Sequence, residues 1–147
     1  GEEDLCRILL APDTVVGTDG LYRFPGEKGH PRAWGTFPHA ICYFHKEKRL
    51  LSLEAIIHKM TLLPAQRTGI SRKGGIQEGW DADLVLFDYE RLEDKATYRN
   101  PNAPTRGIEA VYVGGQLVYD GQSLTGATPG RLLRHNVSRT GEIGVES

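Results

Sequence analysis

The sequence predicts an α/β arrangement in its first part and a β-rich arrangement in its second. A helical pattern at Glu2–Leu10 leads within a few residues into a strand pattern at 14–19, a piece of the helix–strand alternation typical of a parallel sheet. Residues 82–88 have a continuous apolar centre between turn signals, which is the pattern of a strand. Residues 108–119 form two alternating runs around a Gly-Gly pair, which is the pattern of a β-hairpin.

Composition is that of an ordinary globular protein and excludes two classes of partner. The 147 residues suffice for one domain or one and a half, with 39% hydrophobic and 25% charged residues. A net charge of −1 leaves no basic face for nucleic acid. No apolar run approaches the roughly 20 residues that span a membrane. Because no signal-peptide pattern is visible and Cys6 and Cys42 are far apart, we expect a cytoplasmic protein with reduced thiols.

A carboxylate directly follows the first predicted strand. Val15 and Val16 favour a buried strand, whereas Gly17 and Gly20 allow a sharp backbone path on either side of Asp19. The carboxyl ends of strands are where α/β barrels and open α/β sheets place catalytic groups, so Asp19 is a candidate catalytic residue. The alternative is an Asx-turn, in which Asp19 accepts hydrogen bonds from nearby backbone N–H groups.

The segment from Leu21 to Pro38 is rich in glycine, proline and charge and has no periodic pattern. A loop of this length is often functional, so we expect it to line a pocket above Asp19. The alternative is a surface loop whose aromatic residues cover the edge of the core. The candidate substrate-binding residues are His30, Arg32, Arg23 and Trp34.

Helices are predicted at 40–49, at 53–60 with Ser52 as N-cap, and at 64–68. The five histidines form neither an HxH nor an HExxH pattern, so no cluster has the spacing of metal ligands.

Turn signals dominate after residue 70. The strand predicted at 82–88 has a continuous apolar centre, which predicts cover on both faces, and the polar residues at the C-terminus predict disorder. These changes in character divide the chain into a first part with the substrate loop and helices, a β-rich part with the hairpin, and a tail. Their predicted bounds are 1–69, 70–122 and 123–147.

Several short motifs follow one another along the chain. They are Gly-Thr-Asp-Gly at 17–20, His-Pro-Arg at 30–32, Trp-Gly-Thr-Phe-Pro at 34–38, Ala-Ile-Ile-His-Lys-Met-Thr at 55–61, Leu-Pro-Ala at 63–65, Gly-Gly-Ile-Gln-Glu-Gly at 74–79, Ala-Asp-Leu-Val-Leu-Phe-Asp at 82–88 and Val-Tyr-Val-Gly-Gly at 111–115. In this order they resemble the C-terminal part of the D-aminoacylases, the N-acyl-D-amino-acid deacylases of the amidohydrolase superfamily. The resemblance runs from about Glu2 to Arg134. The first three motifs point to the D-aminoacylase branch, whereas the unit at 82–88 is shared by many amidohydrolases.

The resemblance implies a fold and a chemistry. The family fold is a (β/α)8 barrel with a small β-rich sandwich domain, in which residues 14–19 resemble the eighth barrel strand and residues 70–121 part of the β-rich domain. The family is zinc dependent, and its catalytic aspartate, which Asp19 matches, takes a proton from metal-bound water and later gives one to the leaving amine. The implied substrate is a small-molecule N-acyl-D-amino acid, which is hydrolysed to a carboxylate and a D-amino acid.

The family's metal ligands are not in this sequence. They are an early HxH pair, a cysteine and later histidines on preceding barrel strands, so only Asp19 is carried over and no metal ligand is implied here apart from a contact by Asp19. A barrel needs about 250 residues, so we expect the chain to be a C-terminal fragment of a larger enzyme. We expect the isolated chain to bind no zinc and to have no deacylase activity.

Two other functions stay open. In the first, the chain is a non-catalytic binding or assembly domain, in which uncovered sheet edges and apolar faces favour self-association. In the second, the larger enzyme to which the chain belongs is a dihydroorotase-like or other cyclic amidase. The Trp34-Gly35-Thr36 motif argues against the cyclic amidase through the resemblance. For the deacylase, a basic residue among Arg23, Lys28 and Arg32 is expected to pair with a substrate carboxylate.

Overall fold

The structure is a computed structural model that describes residues 1–21, 27 and 29–133. Within these residues the helices precede the strands. The helices are α1 (Glu2–Leu10), α2 (Arg32–His39), a π-helix (Ala40–Glu47), α3 (Leu53–Met60) and α4 (Leu62–Arg67), and the strands are β1 (Leu84–Phe87), β2 (Ile108–Val113) and β3 (Gln116–Tyr119). No helix in this part of the chain is long and apolar enough to cross a membrane.

The core lies where α1, the π-helix and α3 meet. Ile56 is fully buried, at 0% exposure, on the stripe of α3 that its helical spacing predicts. Ser52 caps this helix as predicted, because its Oγ accepts a hydrogen bond from the backbone N–H of Ala55 at 3.2 Å. Leu92 enters the core from the segment between β1 and β2, so the core joins the helices to the sheet. The buried members are Leu9, Ala40, Ile41, Phe44, Ile56 and Leu92.

The prediction of a loop at 21–38 is wrong for the second half of that range, because α2 begins at Arg32 and continues directly into the π-helix. Pro31 precedes the first turn with a φ of −56°, which suits helix entry. Gly35 lies on the buried side of α2, so tertiary packing stabilises a helix that glycine and proline in the sequence argue against. The helix predicted at 40–49 is present as the π-helix, whose wide turns start shortly after Pro38 removes a backbone donor.

Residues 14–20 form an irregular segment rather than the buried strand that the sequence predicts. A strand needs a neighbour to pair with, and the described residues place none beside this segment. The backbone N–H of Val16 donates instead to the carbonyl of Lys59 in α3, at 3.0 Å. Val15 is 40% exposed, so one side of the segment is open to solvent.

The sheet has the strand order β1-β2-β3, with antiparallel pairing throughout. The predicted hairpin is confirmed, since Val113 pairs with Gln116 and the two glycines between them form the turn. Gly114 and Gly115 have φ values of 56° and 80°. Positive φ at both central residues is the geometry of a type I′ turn, which glycine adopts without strain.

β1 is more exposed than its apolar sequence predicts. We expected cover on both faces, but Val85 is 56% and Leu86 is 58% exposed. β1 lies at the edge of the sheet and pairs with β2 alone within the described chain. No second layer of described residues therefore covers these side chains, and the prediction is wrong for this part of the chain.

A charged cluster stabilises the turn end of the hairpin. The Lys73 ammonium pairs with both Asp81, at 3.1 Å, and Asp83, while Arg131 reaches Asp81 at 2.8 Å. Asp83 also accepts a hydrogen bond from the backbone N–H of Gly114 at 2.8 Å. Hydrogen bonds from Lys73 hold the pKa values of both carboxyl groups below their ordinary value of 3.8.

The lowered pKa values of the two carboxyl groups make this cluster sensitive to acid. A carboxyl group whose pKa is lower in the folded state stabilises the fold fully above its unfolded pKa of 3.8, and this stabilisation is lost as the pH falls through the folded pKa. We expect Asp83→Asn to lower the free energy of unfolding near neutral pH. The gap to the wild type should close in a urea-unfolding series that descends below pH 3.8. A gap that stays constant with pH would contradict this account.

Candidate functional site

Asp19 and Arg32 form the centre of the candidate site. The Asp19 carboxylate lies 3.1 Å from an Nη atom of Arg32, and the side chains are 83% and 41% exposed, respectively. Asp19 has a φ of 46°, in the left-handed region that few residues other than glycine, asparagine and aspartate adopt. The carboxylate is thus held beside a cation and remains open to solvent.

The backbone around Asp19 is fixed by its neighbours. A Cβ atom on Gly20 would lie 3.0 Å from Cα of Ala33, so Gly20 permits a close approach to the first turn of α2. The Thr18 hydroxyl accepts a hydrogen bond from the backbone N–H of Gly20 at 3.1 Å. Thr18 therefore supplies the local turn contact that the Asx-turn alternative assigned to Asp19, and the Asp19 carboxylate faces Arg32 instead.

His30 and Arg32 are brought together at the start of α2. The backbone N–H of Arg32 donates to Nδ1 of His30 at 3.2 Å, which in the neutral ring leaves the proton on Nε2. The ring of Tyr98 packs edge-on against the His30 ring, with 5.0 Å between centroids. This arrangement orients His30 beside the residue that pairs with Asp19.

Of the other two predicted substrate-binding residues, only Trp34 is among the described residues. Trp34 is 53% exposed on α2 and is not among the residues that line the groove next to Arg32. Arg23 lies outside the described residues, as does Lys28. The described structure therefore brings Asp19, His30 and Arg32 to one end of α2.

A groove of about 620 Å³ lies next to this site, between α1, residues 14–17, α2 and residues 94–98. Its α1 wall is apolar and includes Leu5 and Ile8, which are 50% and 57% exposed. The rest of its lining mixes apolar side chains with polar and aromatic ones. These polar and aromatic residues include His30, Arg32, Thr36, His39, Asp94 and Tyr98.

Sequence reasoning missed His39 and Asp94. Nδ1 of His39 lies 3.0 Å from the Asp94 carboxylate, whose side chain is only 13% exposed. The second carboxylate oxygen of Asp94 accepts the backbone N–H of Ala96 at 2.9 Å. No sequence signal joins two residues this far apart, because their contact depends on how the segment after β1 packs on α2.

The described residues do not form a metal centre. Within residues 1–21, 27 and 29–133, no three histidine, cysteine, aspartate or glutamate side chains are grouped to hold a metal ion. The near partner of Asp19 is a guanidinium rather than another ligand. Chemically, the site offers one solvent-open carboxylate that can exchange protons and one guanidinium that can bind an anion.

Comparison with known proteins first defines the class. The sequence profile of the amidohydrolase family matches residues 6–119, and the chain belongs to this family. Among characterised relatives, it is similar to the N-acyl-D-aspartate deacylase of Alcaligenes xylosoxydans xylosoxydans. The two are 44% identical over 132 residues, which are 90% of this chain and 26% of that protein.

Two solved structures resemble the chain in both fold and sequence. A D-aminoacylase structure matches with a TM-score of 0.80 and 41% identity, over 86% of this chain and 26% of that one. The N-acyl-D-glutamate deacylase from Bordetella bronchiseptica, complexed with zinc and a phosphonate inhibitor, matches with a TM-score of 0.75 and 37% identity, over 82% and 26% of the two chains. The resemblance to D-aminoacylases is therefore confirmed, and the chain spans about a quarter of the length of these relatives.

Proposed function

We propose that this chain is part of an amidohydrolase that cleaves the amide of N-acyl-D-amino acids to a carboxylate and a D-amino acid, with Asp19 as the proton shuttle. The observation that carries the proposal is the solvent-open Asp19 carboxylate, 3.1 Å from Arg32, in a chain similar to such deacylases over most of its length. We further propose that residues 14–19 serve as a barrel strand in the whole enzyme, where neighbouring strands would pair with them.

Amide hydrolysis needs two proton transfers. The attacking water must lose a proton, and the leaving nitrogen must gain one before it departs as an amine. One carboxylate can perform both transfers in turn if it is close to the water and to the leaving nitrogen. In our proposal Asp19 does so, and its exposure leaves room for both reactants.

Arg32 and His30 are proposed to bind the substrate. A guanidinium recognises a carboxylate with two parallel hydrogen bonds, so Arg32 is suited to the carboxylate of the amino-acid part of the substrate. His30, which accepts the backbone N–H of Arg32, holds the start of α2 in place. Arg23 and Trp34 remain proposed substrate contacts on the basis of their place in the sequence segment 21–38 alone.

Zinc belongs to the intact enzyme in this proposal. The solved N-acyl-D-glutamate deacylase is complexed with zinc, but the described residues of this chain offer no group of ligands for it. The described residues do not fit a zinc site by themselves, so no step of the proposed mechanism is assigned to zinc on this chain.

The test uses a chimera, defined as the Alcaligenes N-acyl-D-aspartate deacylase with this chain in place of its matching 132 residues. We expect the chimera to retain zinc and to hydrolyse N-acetyl-D-aspartate, with N-acetyl-L-aspartate as the control substrate. We expect the isolated chain to turn over neither substrate, to bind no zinc and to self-associate through the exposed apolar residues of α1 and β1.

Three measurements decide these outcomes. A folded chimera that holds zinc and lacks activity would contradict the proposed function. Zinc-dependent turnover by the isolated chain would contradict its expected inactivity. A monomer in analytical ultracentrifugation would contradict self-association, without bearing on the reaction.

A further inference from the structure

Lys59 is a buried lysine in the last turn of α3. The residue is only 6% exposed. Its ammonium donates hydrogen bonds to the backbone carbonyls of Ala11, at 2.6 Å, and Thr14, at 3.1 Å. Its own carbonyl accepts the backbone N–H of Val16 at 3.0 Å. One residue of α3 thus makes three hydrogen bonds to the segment that leads to Asp19.

The burial of the Lys59 ammonium is not explained by packing. Desolvating a cation is costly, and an apolar side chain of similar shape would fill the same space without that cost. Within the described residues no carboxylate lies within 4.0 Å of this ammonium. The charge is instead stabilised by two carbonyl dipoles and by the negative end of the α3 helix dipole. These carbonyls belong to the segment before Asp19, so the ammonium fixes that segment.

The segment depends on such anchors. Residues 14–20 pair with no strand in the described chain, so backbone hydrogen bonds to a sheet do not hold them. Gly17 and Gly20 add conformational freedom on both sides of Asp19. The contacts that hold the segment are the three bonds to Lys59, the packing of Val16 against the core, the Asp19–Arg32 pair and the approach of Gly20 to Ala33. The exposed ion pair between Asp13 and Arg67 contributes little. Among the polar contacts, the two bonds of the Lys59 ammonium are partly buried, whereas the Asp19–Arg32 pair is exposed.

We propose that Lys59 is a positioning residue, which acts through the backbone of residues 11–16 to place Asp19 beside Arg32. It touches neither of these side chains, so it takes no part in proton transfer. The effect of Lys59 on the reaction rests on the proposed function, whereas its effect on the position of Asp19 does not.

The first test measures the position of the segment in the full 147-residue chain by NMR. Lys59→Met removes the ammonium and keeps most of the length of the side chain. We expect at least tenfold faster amide exchange at Val16, whose bond goes to the Lys59 carbonyl and is not itself deleted. We also expect loss of the Gly20–Ala33 contact as a nuclear Overhauser effect. Lys59→Arg, which keeps donors and charge, should preserve both signals.

Lys46→Met is the matched control. The Lys46 ammonium also donates to two backbone carbonyls, those of Tyr89 and Leu92, but on a segment away from Asp19. Its loss should leave the Val16 and Gly20 signals unchanged. Equal effects of the two lysine replacements, or an unchanged segment in Lys59→Met, would overturn the proposal. If Lys59→Met does not fold, Lys59→Gln is measured against the same criteria.

The second test measures catalysis in the chimera. Lys59→Met should lower kcat by about 10- to 100-fold with bound zinc and KM unchanged, because displacing a reacting group by about 1 Å is costly. Lys46→Met should leave kcat unchanged. An unchanged kcat in Lys59→Met would overturn the catalytic consequence. If the wild-type chimera is inactive, the proposed function is contradicted. The positioning role still stands in that case, provided that Lys59→Met disturbs the segment in the NMR test.

Discussion

Asp19→Asn, introduced into the chimera, is expected to lower kcat by about 100- to 10,000-fold, which is the usual contribution of a general acid–base group. Asparagine has nearly the same shape but cannot accept the proton of the attacking water. Because the Asp19 side chain is 83% exposed, its replacement should not disturb the core. KM should change little, since the substrate carboxylate is assigned to Arg32. Steady-state kinetics with N-acetyl-D-aspartate measures both parameters.

Asp13→Asn provides the control for Asp19→Asn. Asp13 lies on the same segment, and its side chain is 79% exposed and paired with Arg67. The Asp13→Asn variant loses the same charge as Asp19→Asn, but the change lies outside the proposed site. We therefore expect kcat to stay at the wild-type value. A loss of activity that is equal in the two variants would mean that charge on this segment matters and that Asp19 has no special role. Bound zinc, measured in both, separates a catalytic loss from a lost metal.

The elements that the sequence predicts well are those with local signals. Ser52 sits directly before an apolar stripe, and its hydroxyl needs only the backbone N–H of Ala55 to cap the helix. Gly114 and Gly115 supply the positive φ values of the hairpin turn by themselves. Neither feature depends on a residue far away in the chain, so both could be read before the structure was known.

The elements that the sequence misses depend on distant partners. α2 contains Gly35 and Pro38, which argue for a loop, yet the helix forms because Asp94 and Ala96 pack against its glycine. Likewise, the apolar run of β1 predicts a covered strand, but cover requires a second layer, which the described residues do not supply. Local propensity is a weak prior where tertiary contacts decide the outcome.

For the candidate site, the sequence identifies residues but not their geometry. The two glycines around Asp19 and the His-Pro-Arg motif single out Asp19, His30 and Arg32. Arg32 reaches Asp19 at 3.1 Å from the first position of α2. The sequence predicts a loop there and therefore does not predict this contact. The anchoring of the segment by Lys59 is equally invisible, because a lysine near the end of a helix usually points to solvent.

Gly35→Ala is expected to destabilise the chain, which is the opposite of the usual effect of this change in a helix. Alanine at a helix interior normally stabilises by roughly 0.5–1 kcal/mol relative to glycine. Here a Cβ atom at position 35 would lie 2.6 Å from a carboxylate oxygen of Asp94 and 2.9 Å from Cβ of Ala96. Asp94 cannot move away freely, because His39 and the backbone N–H of Ala96 hold it. We expect a loss of about 1–3 kcal/mol in the free energy of unfolding, measured by urea denaturation.

Two further variants make the Gly35 prediction specific to the contact with Asp94. Gly17→Ala is the control, because a Cβ atom there would meet nothing within 4 Å, and a surface change of this kind should stay within about 0.5 kcal/mol. In an Asp94→Ala background the clash with the carboxylate is absent, so Gly35→Ala should cost less than in the wild type. An equal cost in both backgrounds would place the strain on Ala96 or on the helix itself. A stabilised Gly35→Ala chain would contradict the packing of α2 against Asp94 altogether.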